Sequence, residues 1–365
     1  MILVLYAGPG GIDQGARILS LPQAVHGYDI DADACATARA AGFHRTQASV
    51  PYLDPDDFPD ATGVVITPPC PPYSRAGLGG GLKDYPTIST ALSLLGDYIG
   101  GSAAERAYRE ALTGLIDPRS ALVIETLRFA FLMPRVRWVI AEQVPAMAQL
   151  WKEIGAELAM TAGWCFIGVI SVAAEDFGVA SRRTRTFLIA TRDYAPDLTG
   201  LPMRSLWHTG KFGPPPMDEP VFPCELFPTM SMADALGWST GERVNTRGNR
   251  RTSGGNEFSA DKPAWCLTSK TRSWKRISDS APLTAAQAGL LIGFPTDYPW
   301  QGSRSKQFLQ AADVVAPPVA AAVLGTVLGL DWQAAVHTYL RNLYPCRTVA
   351  RGYVQPPLFH QQEVA

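Results

Sequence analysis

Gly63-Val64-Val65-Ile66-Thr67-Pro68-Pro69-Cys70-Pro71-Pro72-Tyr73-Ser74 is the stretch on which the reading of this chain turns. An apolar run of strand length ends on a stiff, proline-rich turn, and a single cysteine sits on that turn. Strand ends of open α/β sheets are where substrates and cofactors collect. A thiol held there is a candidate nucleophile if its thiolate can be populated. A lone cysteine among apolar residues is more often inert core; four prolines around Cys70, at the start of a loop, weigh the other way.

Working outward, the first half of the chain alternates strand and helix patterns. Strands are expected at Ile2–Ala7, Ala24–Tyr28, Gly63–Thr67, Trp138–Ala141 and Thr186–Ala190. Helices are expected at Ile12–Leu19 and Ala32–Ala41, and Ala121–Leu132 has helical periodicity. That alternation predicts an α/β fold: a mostly parallel, Rossmann-like sheet with helices on both faces. Trp164–Val172 and Thr186–Thr191 can pair as an antiparallel hairpin. From about residue 192 to 280 the texture changes to prolines, glycines and tryptophans without a long periodic run, which reads as an inserted irregular domain. Regular structure returns at Thr284–Ile292 and Val319–Leu328, and Asp331–Ala365 reads as a tail with an amphipathic beginning.

At 365 residues the chain has room for two domains, and 47% hydrophobic with 18% charged residues describes a folded protein rather than a disordered one. No stretch reads as a membrane span or a signal peptide. The six cysteines lack metal-type spacing, which suggests reduced thiols, an intracellular setting and no metal. Net charge is −1, so nothing global points to a polyanion. Locally, Arg243, Arg247, Arg250, Arg251, Lys262, Lys270, Arg272, Lys275 and Arg276 face only Glu257 and Asp261 in one segment. A nucleic-acid-binding surface and a solvated loop explain that cluster equally well on charge alone.

Tyr6-Ala7-Gly8-Pro9-Gly10-Gly11 follows the first strand and precedes a helix, and glycines there let the backbone approach a ligand closely. Asp29, at the end of the second strand, stands where an acid binds ribose hydroxyls. Pro9 removes a backbone donor, which disfavours a pyrophosphate cradle and suits an adenosine ligand without phosphates, S-adenosylmethionine.

Together these pieces resemble the cytosine-5 DNA methyltransferases, from residue 1 to about residue 329 and with the motifs in that family's order. Tyr6 to Gly11 is similar to the opening Phe-x-Gly-x-Gly-Gly. Asp29-Ile30-Asp31 resembles the second-strand motif, with Asp29 for Glu. Pro69-Cys70 with Ser74 matches Pro-Cys-x-x-x-Ser. Asp117-x-Arg119-Ser120-x-Leu122 with Glu125 resembles the helix that follows. Glu142-Gln143-Val144 resembles Glu-Asn-Val. Gly178-Val179 with Arg183-x-Arg185 resembles Gly-Val-Pro-Gln-x-Arg-x-Arg. Leu283-Thr284 to Gly293-Phe294-Pro295 and Gln310 to Pro318 resemble the closing motifs. Departures are Ala180-Ser181 for Pro-Gln, Ala312-Asp313 for Gly-Asn, and Ser49 near where an acid usually touches adenine.

The resemblance implies a methyltransferase sheet over residues 1–191, completed by 281–330, with a target-recognition domain at 192–280 and a tail from 331. It implies Cys70, Glu142, Arg183 and Arg185 as catalytic residues. Tyr6, Ala7, Gly8, Gly10, Gly11, Asp29, Ile30, Ser49, Pro69, Asp313 and Val314 would bind S-adenosylmethionine. Ser74, Arg243, Arg247, Arg250, Arg251, Lys270 and Arg272 would touch DNA. The implied partner is double-stranded DNA met by a monomer in the cytoplasm of a prokaryote or as a phage product, with room for a cognate restriction endonuclease. Chemically, carbon 5 of cytosine is a poor nucleophile until a thiolate adds at carbon 6. By the resemblance, Cys70 would supply that thiolate, Glu142 would meet ring nitrogen 3, and Arg185 would meet the ring oxygen. Two alternatives stay open: an RNA cytosine-5 methyltransferase, although Cys165-Phe166-Ile167 lacks the Cys-Phe-Thr signature of the tRNA enzymes, and a catalytically silent DNA-binding homologue.

Overall fold

In the computed structural model, residues 1–73, 80–97, 109–133, 135–160, 163–209, 217–219, 227–247 and 256–344 are described. The central sheet has nine strands in the order β3-β2-β1-β4-β5-β7-β6-β8-β9. β1 (Ile2–Leu5), β2 (Val25–Asp29), β3 (His44–Gln47), β4 (Gly63–Ile66) and β5 (Trp138–Gln143) run parallel. β7 (Thr184–Thr191) is antiparallel to β5 and to β6 (Phe166–Ala173), so the expected hairpin is present and lies inside the sheet. β8 (Met203–Thr209) and β9 (Met217–Glu219) extend the same sheet. Part of the segment read as an irregular insert therefore belongs to the central sheet.

Two-residue periodicity explains the three layers. Ile2 and Val4 of β1, Val65 of β4 and Ile140 of β5 point into one core, with the helices Gly11–Ile18 and Pro317–Leu328. Leu3, Leu5, Val64, Ile66 and Val139 point into the other, with the helices Tyr85–Asp97, Glu125–Leu132 and Ala148–Met160. The central strands β1, β4 and β5 are buried along their whole length, as expected for strands covered on both faces. A second sheet, β11-β10-β12, joins Glu257–Ser259, Arg243–Asn245 and Lys275–Arg276. It is tied to the main body where the backbone of Ala180 and Arg182 bonds to Ala264.

Several expectations need correction. Ala121–Leu132 is not one helix: a 3-10 turn covers Pro118–Ile124 and an α-helix follows at Glu125–Leu132. Pro118 starts the turn, and the Asp117 carboxylate caps it by accepting from the Arg119 amide at 3.1 Å. The beginning of the tail is a helix, Trp332–Leu343, whose Trp332, Val336 and Leu340 are buried in the core. Arg304–Leu328 is long and apolar enough to cross a membrane, but it forms two successive helices and 89% of its most apolar window is buried in the fold. Among the described residues no His/Cys/Asp/Glu cluster has metal-binding geometry, and Cys35, Cys70, Cys165 and Cys266 carry free thiols.

Candidate active site

The parallel strands deliver their ends to one side of the sheet. There a cavity of about 1070 Å³, including its open mouth, is lined by Tyr6–Pro9 and Gly11 after β1, by Asp29 to Asp31 after β2 and by Thr67 to Pro71 after β4. Glu142 near the end of β5, Arg185 near the start of the antiparallel β7, and Asp313 to Val315 also line it.

The glycine loop is shaped by two glycines with positive φ: Gly8 at 55° and Gly10 at 113°. Tyr6 also takes a left-handed φ of 57°, which costs a non-glycine residue about 1–2 kcal/mol. The turn is held by Thr67, whose hydroxyl donates to the Tyr6 carbonyl at 2.9 Å. A side chain on Gly11 would meet the Val315 carbonyl at 2.3 Å, so glycine lets the first helix approach the chain entering the helix Pro317–Leu328. The Asp29 carboxylate accepts from the Gly8 amide and from the Asp31 amide, each at 2.8 Å, which ties the loop to the second strand. Burial pushes this carboxyl up, and the two amides pull it back. Beneath the loop lies a fully buried ion pair, Arg45 to Asp13 at 2.7 Å, under Gly27, where a Cβ would collide with the guanidinium.

Cys70 sits half-buried on its turn. The turn is braced by Gln143, whose amide nitrogen donates to the Pro68 carbonyl at 3.0 Å and to the Pro69 carbonyl at 3.2 Å. Burial, reinforced by the charge of Asp313, pushes the Cys70 thiol up to about 11, while Arg185 and Arg183 pull it down. Glu142 is buried and paired with Arg185 at 2.9 Å. Burial raises the Glu142 carboxyl, and Arg185 then Arg183 oppose the shift.

The cavity brings together Cys70, Glu142, Arg185, Tyr6, Ala7, Gly8, Gly11, Asp29, Ile30, Pro69, Asp313 and Val314. Gly10, Ser49 and Arg183 are not among its lining residues. Gly10 caps the first helix and packs on Phe43 and Tyr298. Ser49 precedes the 3-10 turn Val50–Tyr52. Arg183 donates to the carbonyls of Ala312 and Asp313, the latter at 3.0 Å. Sequence reasoning missed Lys306, which lines the cavity and pairs with Asp31 at 2.7 Å, and the bracing role of Gln143.

These residues fit an adenosine-bearing cofactor. Nothing lies within 4 Å of where a Cβ on Gly8 would stand. Asp29 offers a carboxylate, and Ile30, 67% exposed at the cavity, offers an apolar face for a flat ring.

Of the expected DNA contacts, Arg243 is on β10, with Glu257 3.6 Å away, and the Arg247 amide donates to Asn245 at 2.8 Å. Lys270 and Arg272 are exposed on the turn Ser269–Ser273, which packs against the helix Arg304–Asp313 that carries Lys306 and Asp313. Ser74, Arg250 and Arg251 lie outside the described residues, as do Gly77 and Gly79 of the loop after Cys70.

No protein-family profile matches the chain, and no curated protein matches it in sequence. Solved structures do match. A prophage-encoded protein of Escherichia coli described as a DNA modification methyltransferase is 16% identical, with a TM-score of 0.54 over 90% of this chain and 98% of its own. The Entamoeba histolytica methyltransferase EhMeth is 13% identical, with a TM-score of 0.58 over 90% and 97%. The S. pombe Dnmt2 methyltransferase is 15% identical, with a TM-score of 0.57 over 90% and 98%. At these identities the likeness is one of fold: the chain has the Rossmann-like α/β architecture of these methyltransferases, over nearly the full length of each.

Proposed function

We propose that the protein is an S-adenosylmethionine-dependent DNA methyltransferase that modifies carbon 5 of a cytosine flipped out of the duplex. One observation carries this reading: Cys70, Glu142 and Arg185 open on a single cavity together with the Gly8–Gly11 loop and Asp29. The bound cofactor supplies an electrophilic methyl group, and Tyr6 to Gly8, Asp29, Ile30 and Pro69 would hold it.

The chain's own residues do the rest. Cys70 adds to carbon 6 of the ring. Glu142, whose burial favours the protonated form, gives a hydrogen to ring nitrogen 3 as negative charge develops. Arg185 both orients Glu142 and donates toward the ring oxygen. Arg183 acts at one remove, fixing the carbonyl end of the helix that carries Asp313. A thiol held near 11 is mostly protonated at rest, so the thiolate forms when the base is in place rather than in the free protein. A duplex base cannot reach such a cavity without leaving the stack, at a cost of a few kcal/mol. The exposed Lys270 and Arg272, with Arg243 and Arg247, are suited to hold phosphates beside it and to read base edges.

Bisulfite sequencing of DNA from cells expressing the chain tests the proposal. It predicts cytosines protected in one sequence context, and loss of that protection with Cys70→Ala. No protected context, or protection confined to RNA, contradicts it.

A further inference from the structure

Methyl transfer to carbon 5 leaves a hydrogen on a tetrahedral carbon, and the reaction cannot finish until a base removes it. Cys70, Glu142 and Arg185 are all engaged elsewhere on the ring in the reading above, on which this inference rests. Four carboxylates line the cavity. Asp29 is held by the amides of Gly8 and Asp31. Asp31 caps its helix and pairs with Lys306. Glu142 is paired with Arg185. Only the Asp313 carboxylate lacks a hydrogen-bonding partner among the described residues.

We infer that Asp313 is the base that removes the hydrogen from carbon 5 and so releases Cys70. Asp313 ends the helix Arg304–Asp313, and its position is fixed through its backbone: the Asp313 carbonyl accepts from Arg183 at 3.0 Å, which leaves the carboxylate free. It lines the same cavity as Cys70 and Glu142. Although the side chain opens on the cavity, the surrounding protein pushes its carboxyl up, and Arg183 and Arg185 oppose the shift. A carboxylate of raised basicity suits proton abstraction.

The step balances. The C5–H bond breaks and its proton passes to the Asp313 carboxylate. The electron pair forms the C5–C6 double bond, the C6–S bond breaks, and Cys70 leaves as thiolate. Without cofactor, a solvent proton reaches carbon 5 from the face the methyl group would take when Cys70 adds, and the Asp313 carboxylate removes the original hydrogen from the other face as Cys70 leaves.

The test compares the wild-type protein with Asp313→Asn on duplex DNA carrying tritium at carbon 5 of cytosine, with no cofactor present. Any effect of Asp313 on cofactor affinity stays out of this measurement. Tritium release should fall by about a hundredfold in the variant. With cofactor and a 5-fluorocytosine duplex, the same variant should still form the covalent adduct, because addition and methyl transfer precede the abstraction. Unchanged tritium release in Asp313→Asn overturns the inference. Loss of both release and adduct also overturns it, because Asp313 would then act before elimination. A wild-type protein that neither exchanges tritium nor traps the fluorinated duplex overturns the functional reading, and this inference with it.

Discussion

The buried amide of Gln143 donates to the carbonyl of Pro68, 3.0 Å away, and so ties the end of β5 to the turn that carries Cys70. Its side-chain oxygen accepts from the Val144 amide at 2.7 Å, so both ends of this fully buried amide are used. Gln143→Leu keeps the volume and leaves these backbone groups unpaired. A stability loss of about 1–3 kcal/mol is expected, measured as a shift in the denaturant midpoint. The rate of Cys70 adduct formation should fall with it. A variant with native stability and a native adduct rate would show that the brace is dispensable.

Glu142→Gln removes the proton donor while keeping the shape of the site. Methyl transfer should slow by about a hundredfold or more, with a modest change in DNA affinity. Arg185 loses its charged partner in the same variant, so Arg185→Lys serves as a comparison; single-turnover rates and filter binding read both. Equal losses of binding and rate in Glu142→Gln would make Glu142 a structural carboxylate.

The Cys70 thiol, raised to about 11 mainly by burial and next by Asp313, predicts a pH profile for alkylation. A raised thiol stays protonated at neutral pH, so modification of Cys70 by iodoacetamide should be slow there and should climb as pH rises toward 11. Asp313→Asn removes a neighbouring negative charge and should move the profile to lower pH. Peptide mapping of the alkylated site gives the profile; one centred near the ordinary thiol value would contradict the assignment.

Asp13 and Arg45 form a pair with almost no exposure on either side chain. Asp13→Ala leaves a guanidinium buried without its counter-charge, and such losses cost about 3–5 kcal/mol. Because the pair lies beneath the glycine loop, cofactor binding should weaken in the same variant. Thermal unfolding and calorimetric titration with S-adenosylmethionine measure the two effects. A variant that melts like the wild type would mean that the pair contributes nothing to the fold.

What was legible in the chain had a local signature. The run Gly63 to Cys70, the glycines after β1 and the alternation around Trp138 announce strand, turn and loop through neighbouring residues, and their ends fall within one or two residues of the observed ones. The helix Arg304–Asp313 has no such signature: it is polar for much of its length, and its place is set by contacts such as Thr37 to Gln310, 273 residues apart in sequence. The pairing of Lys306 with Asp31 is invisible for the same reason. β8 was hidden within a segment rich in loop residues, because its partner β6 lies some thirty-five residues earlier and supplies the ladder. Within the site, residue types could be placed on strand ends from sequence, but the turning of Arg183 toward Ala312 and Asp313 depends on packing across the whole fold.

The central claim is that Cys70 bonds to the target base. The most direct measurement incubates the protein with S-adenosylmethionine and a duplex carrying 5-fluorocytosine in the methylated context, followed by mass spectrometry of the digested complex. Fluorine at carbon 5 cannot leave as a proton, so the account predicts a stable methylated adduct on the peptide containing Cys70, absent in Cys70→Ala. A wild-type protein that methylates ordinary duplex but leaves the fluorinated one unbound, or that carries the adduct on another residue, would contradict it.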